Sequence, residues 1–260
     1  MRLHTRLLSK VSVIAITGTI RRYPNDAAAY ARRGVAHRAL GQIEKALADF
    51  DAAIRLNPEI ADAYLGRGIA STDLNQDEQA LLAFDAALRL KPNLADAYLG
   101  RGIANRRLKR GEQALADYDA ALRLDPDLTY AYQGRGAVYL DLAQPERALA
   151  DFDAVVRRQP RDANAYYSRG VVHRDLAHYE EAIAEFDRAI RLKPDFANAF
   201  QNRGYCYYHL GEYEQAIADF DQAIRLNPDA AEIGHSRDAA QHALEQRDRA
   251  RGEGDDEHQP

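Results

Sequence analysis

Apolar side chains along most of the chain recur with the period of amphipathic helices. In residues 61–94 a first stripe follows the i, i+4, i+7 spacing and consists of Tyr64, Gly68, Ser71 and Leu74. A second stripe consists of Ala80, Phe84, Ala87 and Leu88. Each stripe predicts one helix with a single buried face, so this segment is interpreted as a pair of helices.

The same two stripes return every 34 residues. The decapeptide ADAYLGRGIA stands at 61–70 and again at 95–104. Prolines mark the period at Pro24, Pro58, Pro92, Pro126, Pro160, Pro194 and Pro228. A fixed period between about 20 and 50 residues is typical of solenoids, in which each unit buries its apolar faces against its neighbours. We therefore predict six units within residues 27–230, namely 27–60, 61–94, 95–128, 129–162, 163–196 and 197–230.

Local signals place the helix ends within each unit. One turn residue separates the two helices, at Gly41, Asn75, Lys109, Ala143, Ala177 and Gly211. Three residues later a Glu stands in the first turn of every second helix, where the helix dipole favours a carboxylate. The prolines from 58 to 228 end the second helices. The chain thus predicts twelve helices in six antiparallel hairpins.

This pattern resembles the tetratricopeptide repeat. The family's aromatic residue, its Gly four residues on, its Ala–aromatic–Ala triplet and its closing Pro stand in one unit as Tyr64, Gly68, Ala80, Phe84, Ala87 and Pro92. The other five units keep the pattern, except that Phe200 replaces the Tyr and Val155 replaces the third Ala. The resemblance implies an all-α fold, a right-handed α-solenoid of six 34-residue helix–turn–helix repeats with a C-terminal capping helix.

The segment before the repeats, residues 1–26, has three interpretations. Positions 1–25 carry five basic residues and no acidic one, around an apolar run at 11–20. This outline is typical of a signal peptide or anchor. In the 34-residue register, however, Ile16 falls where Phe84 stands, which favours a degenerate half-repeat that caps the array. A disordered tail is the third alternative.

The segment after the repeats divides into two parts. Residues 231–250 hold a thin apolar stripe among charged residues, which predicts a polar capping helix over the last repeat. Residues 251–260 are charged and contain glycine, so we expect a disordered tail.

Two charged series recur as faithfully as the apolar residues. The basic series is Arg33, Arg67, Arg101, Arg135, Arg169 and Arg203. The acidic series follows it at a constant spacing and is Asp51, Asp85, Asp119, Asp153, Asp187 and Asp221. We interpret them as a ladder of ion pairs, within a repeat or to the next. The alternative is a solvated row of charges.

Composition and motifs narrow the classes of function. The 35 basic and 40 acidic residues are mixed along the chain, which indicates no attraction to nucleic acid. The single Cys206 excludes an internal disulfide. The eight histidines have no third metal ligand in a recognisable pattern, and no catalytic motif is present. We therefore expect no enzyme, no metal and no cofactor.

The resemblance also implies that the first helices line a concave groove, at the second, fifth, sixth, ninth, twelfth and thirteenth residues of each unit. The candidate partner-binding residues are Asp62, Leu65, Asp96, Leu99, Tyr130, Gln133, Tyr167, Arg174, Gln201, Asn202, Tyr205 and Tyr208. Their C-terminal members are rich in tyrosine and amides, which suits recognition of a peptide or helix. The alternative for the tyrosines is packing between units. Three glycines, Gly66, Gly100 and Gly134, either let a ligand backbone approach or record duplication of units.

The sequence therefore predicts a non-enzymatic scaffold or adaptor. Its expected partner is another protein, bound as a peptide or amphipathic helix in the groove, and self-association stays open. The expected location is the cytoplasm. The alternative is an envelope-associated assembly or tethering factor, exported or membrane-anchored through residues 1–23.

Overall fold

The structure, a computed structural model, describes residues 2–256 and the side-chain surroundings of residues 9–250. Within residues 2–256 all regular secondary structure is α-helical. The helices are α1 Arg2–Arg22, α2 Ala27–Ala39, α3 Ile43–Leu56, α4 Ala61–Asp73, α5 Asp77–Leu90, α6 Ala95–Arg107, α7 Gly111–Leu124, α8 Thr129–Asp141, α9 Pro145–Arg158, α10 Ala163–Asp175, α11 Tyr179–Leu192, α12 Ala197–His209, α13 Tyr213–Leu226 and α14 Ala231–Asp256. Helices α2 to α13 confirm the all-α fold and the twelve repeat helices predicted from the sequence.

The helix ends follow the predicted local signals. All six predicted turn residues adopt positive φ, between 54° and 75°. Four of them are not glycine, and a side chain in this region costs about 1–2 kcal/mol. Pro145 occupies the first turn of α9, where its missing N–H has no helical partner to lose. Each second helix ends two residues before its proline.

The helices form two compact units, divided within the fourth repeat. Unit 1 is Met1–Leu142 with α1 to α8, and unit 2 is Ala143–Pro260 with α9 to α14. Inside each unit every helix packs on the next helix in the chain. The first helices of consecutive repeats also contact one another, α2 to α8 in unit 1 and α10 to α14 in unit 2. We call the row of first helices the inner face of each unit.

An aromatic ring between two glycines joins consecutive hairpins in unit 1. Phe50 is fully buried, and a Cβ atom added at Gly34 or Gly66 would lie 2.8 or 2.4 Å from its Cε1. Phe84 lies in the same way between Gly68 and Gly100, and Tyr118 between Gly102 and Gly134. This confirms the predicted close approach at Gly68. It also gives Gly66 and its equivalents a packing role, in which the ring of the preceding repeat occupies the space.

The charged series form a ladder that connects successive repeats. Asp51 pairs with Arg67 of the next repeat, which decides between the two pairings that the sequence left open. The same pairing between consecutive repeats joins Asp85 to Arg101 at 2.6 Å and Asp119 to Arg135 at 2.5 Å. In unit 2 it joins Asp153 to Arg169, Asp187 to Arg203 and Asp221 to Arg237. Each arginine of the six repeats also stacks on the aromatic residue three positions before it.

A second set of carboxylates, missed in the sequence, completes most rungs. These residues follow the arginine within the same repeat, on its second helix, and are mostly buried. Arg33 pairs with Asp49, Arg101 with Asp117, Arg169 with Glu185 and Arg203 with Asp219. Because both carboxylates hold one guanidinium, the rung links the two helices of a hairpin and the preceding hairpin at once.

The terminal helices continue the register of the repeats. Arg33 donates to the hydroxyl of Thr17 on α1 at 3.4 Å, and Thr17 stands 34 residues before Asp51. Ile20 of α1 is buried, and α1 packs on α2. At the other end Arg237 of α14 pairs with Asp221, as a seventh arginine of the series would. Helix α14 runs to Asp256, past the expected end of the cap at residue 250, and residues 257–260 of the expected tail lie outside the described part.

Candidate functional site: the inner faces of the two units

The inner face of unit 1 is polar at its surface and apolar beneath. Asp62 and Asp96 are exposed near the starts of α4 and α6. Leu65 and Leu99 are half-buried and pack against the aromatic cores of their own repeats and the next. On α8, Tyr130 is 66% exposed and Gln133 is half-buried. The leucines therefore contribute mainly to the core, while the two aspartates and Tyr130 are available to a ligand.

A cleft between α2 and α4 brings one of these residues to a concave surface. Its volume is about 440 Å³, and it is lined by Asp26, Ala28, Ala31, Arg32, Val35, Ile60 and Asp62. Val35, which lines this cleft together with Ala28 and Ala31, is 58% exposed. The cleft combines apolar side chains with two carboxylates and one guanidinium, and the guanidinium of Arg32 lies 4.0 Å from the carboxylate of Asp26.

The inner face of unit 2 holds a hydrogen-bonded network instead. Arg174 donates to the Oδ1 of Asn202 and to Asp175, at 2.6 Å for the latter. The Nδ2 of Asn202 lies 3.3 Å from the hydroxyl of Tyr167 and 2.8 Å from the carbonyl of Asn198. Asn202 is 8% exposed, so this amide positions Arg174 and has little surface of its own.

Tyr167 belongs more to the core than to the surface. Its ring lies 4.8 Å from that of Phe196 and 5.9 Å from that of Phe186, between centroids. Burial raises the pKa of Tyr167, and the positive charge of Arg174 opposes that rise. The packing alternative considered for the tyrosines therefore describes this residue well.

Four rings, two of them exposed, form the outer part of the unit 2 inner face. We call this group the aromatic patch, and it consists of Tyr179, Tyr205, Tyr208 and His209. His209 lies 4.3 Å from Tyr205, 5.0 Å from Tyr179 with nearly parallel rings, and 5.6 Å from Tyr208, between centroids. Tyr205 is 43% exposed and lies under the guanidinium of Arg174 at 5.9 Å.

His209 and Tyr179 were missed as candidates in the sequence. His209 is the thirteenth residue of its repeat, one of the positions that the resemblance assigns to the groove, so the sequence contained a signal for it. Tyr179 begins a second helix and reaches the patch from α11. Gln201 is half-buried on the same helix as the patch. Thus the structure groups Arg174, Asn202, Tyr205 and Tyr208 in unit 2, whereas the other candidates from Asp62 to Gln133 belong to unit 1.

The aromatic patch presents several kinds of chemical group. The patch offers apolar ring faces, phenol hydroxyls and an imidazole, with one guanidinium held at its edge. In the described part of the chain, no three His, Cys, Asp or Glu residues are placed to hold a metal ion. Cys206, next to Tyr205 on α12, is fully buried, and burial raises its pKa to about 12.

Family models match most of the repeat region. Two models described as tetratricopeptide repeat match residues 32–95, 75–129 and 134–195 in one case and 197–230 in the other. A search of curated proteins gave no match.

Solved structures with a similar fold include one that is described as a TPR protein. YrrB, described as a TPR protein with an unusual peptide-binding site, is 28% identical with a TM-score of 0.64, and the match covers 73% of this chain and 97% of YrrB. MamA from Desulfovibrio magneticus RS-1 is 26% identical with a TM-score of 0.62, covering 65% of this chain and 96% of MamA. The Cut9–Hcn1 assembly of the APC/C, at 18% identity, shares the fold with a TM-score of 0.72, covering 92% of this chain and 47% of the other.

These matches agree with the helix pairs and the 34-residue period described above. The chain belongs to the tetratricopeptide repeat family, and as such it is a protein–protein interaction scaffold.

Proposed function

We propose that the chain is a non-enzymatic adaptor that binds a peptide or amphipathic helix of another protein on its inner faces. The observation that carries this proposal is the aromatic patch with Arg174 at its edge. Tyrosine and arginine are enriched among the residues that contribute most to protein interfaces, because each joins a large contact area to a polar group. Tyr205 is the central residue, since it is exposed and contacts both Arg174 and His209.

The preorganisation of Arg174 supports this assignment. Its guanidinium is fixed by Asn202 and Asp175, and a fixed side chain loses less conformational entropy when a ligand binds. The proposed ligand presents an apolar or aromatic side chain to the rings and an acceptor, such as a backbone carbonyl, to Arg174. The peptide-binding site described for YrrB is consistent with this class of ligand.

On unit 1 we propose a second, weaker contact surface. Asp62 and Asp96 give it negative charge, and Tyr130 gives it one exposed ring. Exposed carboxylates influence the rate of association and the choice of partner more than the affinity. A ligand segment that reaches this face is therefore expected to be basic.

The test is capture of partners from the source cell, followed by affinity measurement with the purified partner. Tyr205→Ala combined with His209→Ala removes two exposed rings of the patch. We expect affinity to fall at least about tenfold, the loss typical of a central interface tyrosine, while the circular dichroism stays unchanged. The control is Tyr23→Ala, since Tyr23 is 58% exposed outside the repeats. Equal affinity of both variants and the wild type would contradict the proposal. Tyr167 is left intact because it packs in the core.

One observation favours the second candidate function, an envelope-associated assembly or tethering factor. Val11 and Ile14 on α1 are 57% and 74% exposed, an apolar surface on a basic segment. Among the described helices, none combines the length and the apolar composition that a membrane-spanning segment requires. We propose α1 as the capping half-repeat because Thr17 accepts a hydrogen bond from Arg33 of the first repeat in register and Ile20 is buried. Sequencing the mature N-terminus decides between the two, since cleavage near Ile20 would remove the proposed cap.

A further inference from the structure

The rung of Arg67 lacks the carboxylate of its own repeat. In the rungs of Arg33 and Arg203, the Nε and Nη2 atoms hold both oxygens of an aspartate in the same repeat. Arg101 holds Asp117 through the same two nitrogens. The repeat of Arg67 has Ala83 at that position instead. Among the described residues, Arg67 has one acceptor, the Oδ1 of Asp51, 3.5 Å from its Nη1.

The Nε and Nη2 atoms of Arg67 therefore face no acceptor in the described part of the chain. Both nitrogens are accessible to solvent, because neither is among the buried polar atoms that lack a hydrogen-bond partner. The side chain of Arg67 is 31% exposed, more than those of the other five repeat arginines, which range from 19% to 26%. The ring of Tyr64 lies 5.4 Å from the guanidinium carbon and supports it.

A second difference stands beside the first. The residue before Ala83 is Leu82, which is 68% exposed. The equivalent residue in all five other repeats is alanine, at Ala48, Ala116, Ala150, Ala184 and Ala218. Thus one dipeptide removes a buried charge from the rung and adds an apolar side chain at the surface, in this repeat alone.

Both differences open onto one cleft. Its volume is about 330 Å³, and it is lined by Leu47, Asp51, Arg67, Ser71, Gln76, Gln79 and Leu82. The cleft of the next repeat is built from equivalent positions and includes Asp117, which saturates Arg101. The Arg67 cleft lacks that carboxylate and has amides from two glutamines at its wall.

The Arg67 cleft is separate from the inner face of unit 1. Arg67 follows Leu65 by two residues, and successive residues of a helix are about 100° apart, so the two point about 200° apart around α4. A ligand on the inner face therefore leaves this cleft free.

We propose that the Arg67 cleft binds a Glu or Asp side chain of another protein, flanked in that protein by an apolar residue. The carboxylate takes the place that Asp117 has in the next repeat and accepts two hydrogen bonds from Nε and Nη2, a bidentate pairing that arginine favours. Leu82 contacts the flanking apolar residue. The chain's own acidic segment at 253–257, EGDDE, contains no large apolar residue to contact Leu82.

The experiment uses the full chain and two synthetic peptides, Ac-Ser-Leu-Glu-Leu-Ser-NH2 and its Gln analogue. Nuclear magnetic resonance follows the Nε–H of Arg67 and the methyl groups of Leu82 during titration. We expect the Glu peptide to shift both signals, to bind at least about fivefold tighter than the Gln peptide, and to leave the Nε–H of Arg101 unshifted. Equal shifts by both peptides, or no shift at Arg67, would overturn the proposal.

Two variants test whether the peptide binds at the Arg67 cleft and not elsewhere on the chain. Ala83→Asp restores the residue found in most other repeats, should fold as they do, and is expected to abolish the shifts by occupying Arg67. When Ala116→Leu and Asp117→Ala are added to the Ala83→Asp variant, the exposed leucine and the missing carboxylate are transferred to the next repeat. The peptide is then expected to bind at Arg101. Peptide binding that survives Ala83→Asp contradicts the site. Self-association that Ala83→Asp abolishes would identify a second copy as the occupant and overturn the proposed partner.

The Arg67 cleft and the aromatic patch can be tested independently of each other. Tyr205→Ala with His209→Ala is expected to leave the Arg67 shifts unchanged, since the patch lies in unit 2. A loss of those shifts in this variant would mean that the peptide binds the patch and not the cleft.

Discussion

The sixth residue of the repeat has opposite uses in the two units. In unit 1, Gly66 and Gly100 leave room for the rings of Phe50 and Phe84, so the sixth residue serves the packing of the core. In the last repeat of unit 2 the same position is Asn202, which is hydrogen-bonded to Arg174 and Tyr167 beneath the aromatic patch. Thus the same position of the repeat holds a packing residue in unit 1 and, in the last repeat of unit 2, a residue that positions the side chains around it.

The largest effect should come from breaking the ladder, which both units share. Arg101→Leu leaves Asp117, 4% exposed, without its guanidinium, and losing one partner of a buried pair costs about 3 kcal/mol or more. Arg203→Leu should cost a similar amount in unit 2, because Asp219 is also buried. Urea unfolding measures both free energies of unfolding. A loss below about 1 kcal/mol in either unit would mean that its rungs behave as surface pairs.

A smaller effect should separate the two units at the sixth residue. Gly100→Ala places a Cβ atom 2.4 Å from Cζ of Phe84, whose ring Gly68 confines on the other side. Overpacking costs about 1–3 kcal/mol and the gain in helix propensity returns about 1 kcal/mol, so we expect a net loss of up to about 2 kcal/mol.

The matched control for that substitution is Gly234→Ala, also within a helix. A Cβ atom at Gly234 meets nothing within 4 Å. The free energy of unfolding should therefore rise by up to about 1 kcal/mol. A gain in stability from both substitutions would refute the role of Gly100 in packing.

Alkaline pH should lower the free energy of unfolding of both units, and the decline should begin at a different pH in each unit. Burial raises the pKa of Tyr118 in unit 1 from 10 to about 12, and that of Cys206 in unit 2 from 9 to about 12. The unfolded chain therefore releases these protons first, and each group lowers stability by up to about 1.4 kcal/mol per pH unit, Cys206 above pH 9 and Tyr118 above pH 10.

Unfolding in urea at pH 8 to 11 checks this order. Cys206→Ala should remove the part of the decline that begins near pH 9, and Tyr118→Phe the part that begins near pH 10. Tyr118→Phe is a mild change, because Phe fills the equivalent position in the other five repeats. An identical pH dependence of both variants and the wild type would show that neither group titrates differently on unfolding.

The smallest effect concerns the turns. Ala177 has φ of 57°, a region where a Cβ atom is unfavourable, whereas Gly211 fills the same position in the next repeat. Ala177→Gly should raise the free energy of unfolding by about 0.5–1 kcal/mol, the strain relieved less the added freedom of the unfolded chain. A thermal melt measures the change, and a lower melting temperature would contradict it.

The sequence predicted the scaffold because each of its features repeats. Six copies of the glycine, aromatic and proline positions determine the helices, and the positive-φ turn residues were all identified. The ladder was only half identified, since its constant spacing left open whether Asp51 pairs with Arg33 or with Arg67. The buried carboxylates were missed because Ala83 and Glu185 interrupt their series. Pairing between repeats is decided by tertiary packing, which a period in the sequence does not encode.

The candidate site was harder to predict for the same reason. Tyr167 and Tyr205 occupy groove positions in consecutive repeats, yet one packs against Phe186 and Phe196 and the other is exposed. His209 also occupies a groove position, but it was not predicted as a site residue. Its role depends on three rings that surround it in space. Departures from a repeat indicate where to look, and burial then separates packing from recognition.

The most direct measurement of the central claim is photo-crosslinking at the aromatic patch. Tyr205→benzoylphenylalanine places a photoreactive ring on the unit 2 inner face, and Tyr23→benzoylphenylalanine serves as the control. The account predicts that the captured partner crosslinks at position 205, through one short segment, and that unlabelled partner peptide competes with the reaction, while position 23 gives no adduct. Equal crosslinking at both positions, or none at position 205 with the partner bound, would contradict it.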